Sequence, residues 1–138
     1  MIKVNKLTDY AVLILNHFAA QSLDRVFNAS QLASALGLPS PTVSKILKIL
    51  LKNQLVISYR GAMGGYQLAK PLKCISVAQL IEAMEGRVAV TQCSARAGLC
   101  THEHVCQMRN PWQKINQMVL TLLSQVSLAD MQQNKESL

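Results

Sequence analysis

A chain of 138 residues, half of them hydrophobic, can bury one domain's core and is too apolar to be a disordered tail. It has 14 Lys and Arg against 7 Asp and Glu, a net charge of +7. Val26 to Ile81 contains no acidic residue but holds Lys45, Lys48, Lys52, Arg60, Lys70 and Lys73, a field of one sign that draws polyanions, or else a solvated basic face with no partner.

The N-terminus, Met1-Ile2-Lys3-Val4-Asn5-Lys6, is not followed by a secretory signal pattern, and the apolar run from Ala11 to Ala20 includes Asn16 and His17 and is too short to span a bilayer. A cytoplasmic location is therefore expected. Thiols there stay reduced, so clustered cysteines favour a metal or redox role over disulfides.

In chain order, Thr8 is expected to cap a first helix running to about Ala20, with Ala11, Ile14, Leu15 and Phe18 forming one apolar stripe. Asn28 caps a second, short helix with Gln31 as its capping-box partner, and Gly37 lies just beyond its end near Leu36. Pro41 opens a third helix at its first position. Val43, Ile46, Leu47 and Leu50 form the inward face of that helix, and Thr42, Lys45, Lys48 and Lys52 the outward one. Two short helices joined by a turn at Gly37 match a helix-turn-helix, whose second helix presents its N-terminal half to a DNA groove.

Leu55 to Arg60 reads as a strand, Gly61-Ala62-Met63-Gly64-Gly65 as a turn, and Tyr66 to Ala69 as a returning strand. A basic hairpin directly after a helix-turn-helix is a wing. Its glycines allow the tip to approach a phosphate backbone or enter a minor groove, and Arg60 supplies charge. The bland alternative is a hairpin that closes a small core. The expected DNA-contacting set is Lys6, Thr42, Ser44, Lys45, Lys48, Arg60, Gly64 and Gly65. Ser76 caps a fourth helix through Met84, with Gln79 in the box position.

From Gly86 to Arg109 the pattern breaks into a loop bearing Cys93, Cys100 and Cys106. Asn110-Pro111-Trp112-Gln113 starts a long helix. In it Trp112, Ile115, Val119, Leu122 and Val126 recur at spacings of three and four, with Met118 and Leu123 widening the seam. This stripe is read as a dimerisation helix, since DNA readers of this kind bind paired half-sites. Ser127 to Met131 adds a short capped turn, and the last residues fray. The expected organisation is a winged helix-turn-helix over 1–85, a cysteine loop over 86–109, and a dimerisation helix with tail over 110–138. The expected fold class is mainly α with a small β-hairpin wing.

Three reduced thiolates at such spacings can converge on iron or zinc. Six and five intervening residues are neither zinc-ribbon pairs nor a C-x-x-C redox motif. Spacing leaves iron–sulfur and zinc open, with a thiol switch third. Cys74 stands apart and is expected to be small and half-buried. A fourth ligand could be His102, Glu103 or His104. Asp9 is another candidate, although the dipole of the first helix favours a carboxylate there without any metal. No second His/Asp constellation or phosphate-binding loop accompanies the cysteines, which argues against an enzyme.

Lys6-Leu7-Thr8-Asp9-Tyr10-Ala11, Tyr59-Arg60-Gly61-Ala62-Met63-Gly64-Gly65-Tyr66 and the three-cysteine loop followed by Trp112 resemble the IscR- and NsrR-type winged-helix regulators, a family called Rrf-two. Pro41-Thr42-Val43-Ser44-Lys45 and Asn110-Pro111-Trp112-Gln113 are most similar to its SUF-system iron–sulfur assembly regulators. The resemblance covers nearly the whole chain. It implies a winged-helix homodimer with a long dimerisation helix and a two-iron or four-iron cluster on Cys93, Cys100 and Cys106, and the leading hypothesis is a cluster-sensing repressor. DNA affinity would depend on cluster state, and the targets would include cluster-assembly genes. Two departures matter. IscR-type members place a ligand His three residues after the third cysteine, where this chain has Arg109, and a guanidinium is no ligand. NsrR-like members use a carboxylate near the start of the first helix of the other subunit, a position Asp9 matches. Asp9 therefore ranks ahead of His102 and His104. The alternative keeps the DNA-binding half and gives the cysteines zinc or a thiol switch.

Overall fold

The computed structural model describes residues 3–22, 24–91, 94, 98, 101 and 107–133. Six α-helices and one two-stranded antiparallel hairpin are found among them.

Helix α1 spans Lys6–Gln21, and its cap is Asn5, whose side chain accepts the Leu7 N–H at 3.0 Å. The expected cap, Thr8, lies inside the first turn instead. It is buried, and its hydroxyl donates to the Glu85 carboxylate at 2.7 Å. Helix α2 (Ala29–Leu36) has the expected reciprocal box: Gln31 N–H to Asn28 at 2.8 Å and Asn28 N–H to Gln31 at 2.9 Å. Gly37 closes it. Helix α3 (Ser40–Lys52) begins one residue earlier than expected, so Pro41 occupies its second position, where a missing N–H is still harmless. Val43, Ile46, Leu47 and Leu50 are all buried, and the i, i+3, i+4, i+7 spacing puts them on one face.

Strands β1 (Val56–Tyr59) and β2 (Gly65–Leu68) pair with Val56 opposite Leu68 and Tyr59 opposite Gly65. Phe27 adds a short third rung, with its N–H to the Tyr66 carbonyl at 2.9 Å and the Tyr66 N–H returned at 2.7 Å. A 3-10 turn at Leu72–Cys74 follows; Cys74 is exposed there, not half-buried. Ser76 caps helix α4 (Val77–Glu85) by accepting the Gln79 N–H at 3.0 Å.

Helix α5 spans Arg109–Gln125 and starts before the expected cap Asn110; Met108 holds the cap position without a side-chain bond. Helix α6 (Leu128–Gln133) is closed by Ser127 and Asp130, each bonding the other's backbone N–H, at 2.9 and 3.1 Å. Val77 N–H to Val126 O (2.8 Å) and Leu128 N–H to Ile75 O (2.9 Å) stitch the end of α5 to the start of α4. Leu128 is fully buried and joins Ile14, Phe18, Leu47 and Leu80 in one core.

The apolar stripe of α5 divides. Met118 and Leu122 are 64% exposed, and Trp112 and Ile115 also face outward. Val119 and Leu123 turn inward and line a groove of about 200 Å³ with Val4, Ile81, Val88 and Val90. Among the described residues, no helix is long and apolar enough to cross a membrane.

Candidate nucleic-acid interface and cysteine loop

The outward face of α3 is free to meet a polyanion. Lys45 and Lys48 are exposed, Thr42 and Ser44 are half-buried beside them, and the first turn has no acid. The positive end of the helix dipole adds to this charge. Lys6 is exposed as the first residue of α1. The burial of four aliphatic side chains on the opposite face fixes which way these residues point.

The wing follows α3 directly. Its outer surface is fastened by the Tyr59 hydroxyl, which donates to Gln67 Oε1 at 2.7 Å across the two strands. Arg60 is exposed at the shoulder of the tip. The structure gives Gly64 and Gly65 a packing role. A Cβ on Gly64 would collide with the Tyr59 carbonyl oxygen; one on Gly65 would stand 2.5 Å from the Phe27 carbonyl oxygen. Phe27 itself is held by Phe18 (ring centroids 5.7 Å) and His17 (5.1 Å), with the Arg25 guanidinium 4.9 Å from its ring centre. Sequence reading passed over Phe27, although an apolar residue just before the Asn28 cap with Leu32 at the fourth helical position is the hydrophobic-staple pattern.

Arg60→Ala is expected to weaken DNA binding and, if Arg60 meets phosphate alone, to lower the slope of log affinity against log salt by about one. Titrations at several salt concentrations check this; an unchanged slope and affinity would leave the wing a purely structural element.

The cysteine loop is entered from α4. Cys93, Cys100, Cys106, His102, Glu103 and His104 lie outside the described residues. The groups that fix the start of the loop are described. Asn116 is buried in α5; its Oδ1 accepts the Val90 N–H at 2.8 Å, and its Nδ2 donates to the Val88 carbonyl at 3.4 Å. Ser94, next after Cys93, is buried, and its hydroxyl lies 2.9 Å from that of Thr91. Glu85, the last residue of α4, accepts from both the Thr8 hydroxyl and the Asn5 N–H (3.1 Å). One carboxylate thus ties the start of the cysteine segment to the first turn of α1.

Asp9 sits in that turn, exposed, with no hydrogen bond to its carboxylate among the described residues. An exposed carboxylate of this kind is chemically able to ligate iron. Among the described residues no three His, Cys, Asp or Glu stand together as a metal site. Asn116 and Glu85 were both missed from sequence. An amide within an apolar helical stripe was a signal for Asn116. Nothing local marks Glu85, whose partners lie 77 and 80 positions away.

Comparison with known proteins bears on this arrangement. The profile of the Rrf2 family, described as an iron-dependent transcriptional regulator, matches residues 4–134. The HTH-type transcriptional regulator IscR of Yersinia pestis is 28% identical over 129 residues, 94% of this chain and 78% of its own. The solved structure of T. potens IscR is 26% identical, with a TM-score of 0.69 over 99% of this chain and 90% of its own. CymR, the global cysteine regulator of B. subtilis, shares the fold at a TM-score of 0.70 and 22% identity, over 95% of this chain and 96% of its own.

Proposed function

Because the chain belongs to the Rrf2 family of DNA-binding transcriptional regulators, we propose that it is a cytoplasmic, homodimeric repressor whose DNA affinity responds to an iron–sulfur cluster. Cys93, Cys100 and Cys106 hold the cluster, with Asp9 of the other subunit as fourth ligand. The winged unit (1–85) reads DNA, the loop (86–109) carries the thiolates, and the segment 110–138 pairs the subunits. Genes of iron–sulfur assembly are its targets, as the resemblance implies.

The observation that carries this reading is the Glu85 tie. The residue that ends α4, immediately before the cysteine segment, bonds the first turn of α1 in the same chain, so a cluster held by this loop and by Asp9 of the other subunit would act on the start of α1 in both subunits. The exposed stripe of Trp112, Ile115, Met118 and Leu122 supports dimerisation, since a run of large apolar residues in water favours a second apolar surface. When bound, the cluster supplies a redox- and oxygen-sensitive link between loop and helix. The residues of this chain do the rest. Glu85 and Asn116 fix the loop's first residues against α1 and α5, and α3 and Arg60 engage the duplex. Two recognition helices must meet half-sites about one helical turn apart, so a small rotation between subunits changes affinity.

The test is anaerobic purification followed by DNA titration with holo and apo protein. Visible absorbance with bound iron and sulfide is expected, with affinities differing at least about tenfold, or about 1.4 kcal/mol, on one operator. Asp9→Ala should narrow that gap. A colourless, zinc-loaded protein would favour the zinc alternative. Equal holo and apo affinities would make the cluster structural.

A further inference from the structure

The wing ends in a side chain that neither the hairpin nor the core uses. Met63 is 93% exposed, more than any other large hydrophobic residue among those described. Ala62 beside it is exposed, while Gly64 and Gly65 have their Cβ space filled by backbone. The outward side chains of the tip are therefore Ala62 and Met63, with Arg60 at the shoulder. No residue from Gly61 to Gly65 carries a polar side chain, although the surrounding segment is basic.

Such a tip cannot read base edges through side-chain hydrogen bonds. It offers a slender, unbranched, polarizable thioether with a cation behind it. A minor groove about 6 Å wide, walled by sugars, admits a side chain of that shape. Apolar side chains, Met included, are known to enter that groove as wedges that part neighbouring bases and kink the duplex. The hairpin is braced for this role: its two strands, the Phe27–Tyr66 rung and the Tyr59–Gln67 bond hold the tip from below.

We propose that Met63 is a DNA wedge: with α3 in the major groove, it enters the flanking minor groove, opens one base step and bends the duplex. The protein then prefers a flexible pyrimidine–purine step at that place without bonding to its edges. The inference rests on the DNA-binding reading, which α3 and Arg60 carry independently of Met63.

The test uses the full chain and the duplex it selects from a random-sequence pool. End-to-end fluorescence energy transfer reports the bend, and 2-aminopurine at the flanking step reports unstacking. Wild-type protein should bend the duplex and brighten the 2-aminopurine. Met63→Ala should lose at least half of the bend and the brightening, and Met63→Leu should retain most of both. Replacing the flexible step by a stiff A-tract should weaken wild-type binding about tenfold and the Ala variant much less. Equal bend and equal step preference for wild type and Met63→Ala would overturn the wedge. So would a Met63→Ala protein that binds and bends DNA normally but no longer represses, because the tip would then dock a protein. A wild-type chain that selects no duplex at all would sink the DNA reading and the wedge with it.

Discussion

Cys93→Ala, Cys100→Ala and Cys106→Ala are each expected to abolish stable cluster binding, while Cys74→Ala leaves it intact. Iron–sulfur clusters are held by thiolates, and under the proposed function each of the three would supply a bond that no neighbouring side chain of equal softness replaces. Arg109 cannot substitute, because its guanidinium stays protonated. Cys74 stands on the 3-10 turn before α4, exposed and on the other side of that helix in sequence from the loop. Iron and sulfide content and visible absorbance after anaerobic reconstitution are the measurements. A Cys74 variant that loses its colour, with the other three dispensable, would reverse the assignment.

Gly65→Ala is expected to cost about 2–5 kcal/mol of stability and to free the wing, combining overpacking with backbone strain. Its φ of 153° is one that side chains rarely adopt. The new Cβ would lie 2.5 Å from the Phe27 carbonyl oxygen, 2.7 Å from its carbon and 2.9 Å from the Asn28 nitrogen. All three are backbone atoms, so no side chain can swing aside. Relief requires breaking the Phe27–Tyr66 pair, the rung that anchors the hairpin to the loop between α1 and α2. That cost is a large share of the 5–15 kcal/mol typical of a domain. Urea unfolding should show the loss, and amide exchange at Phe27 and Tyr66 should accelerate. An unchanged unfolding midpoint would show that the loop yields freely.

The helix-turn-helix was legible because its signals are local. The Asn28–Gln31 box, Gly37 and the Val43, Ile46, Leu47, Leu50 face each lie within one or two turns of chain. Thr8 was misread for the opposite reason: its hydroxyl bonds a carboxylate 77 positions away, leaving the cap to Asn5. In α5 the period was plain but its phase was not. Apolar residues spaced by three and four cannot say which of Val119 and Met118 faces home, because that depends on where α4 lies. The wing glycines show a similar limit. Their closeness to something was readable from type alone; Gly64 meets backbone of its own hairpin, whereas the neighbour of Gly65, the Phe27 backbone, comes from a distant part of the chain. Of the candidate site, the outward placement of Lys45, Lys48 and Lys52 on α3 was legible, and the residues that steady the cysteine segment were not.

Asn116 stands in for a strand. Its side-chain amide offers a carbonyl to Val90 and an N–H to Val88, the pair of bonds that a neighbouring peptide group would provide in a sheet. A single helical residue therefore gives an extended segment a register against α5. Residues 88 and 90 are thereby bonded to that helix, and the Thr91–Ser94 hydroxyl pair follows a few residues on, flanking Cys93 in sequence. A ligand held at Cys93 would therefore act only a few residues from a segment pinned to the long helix.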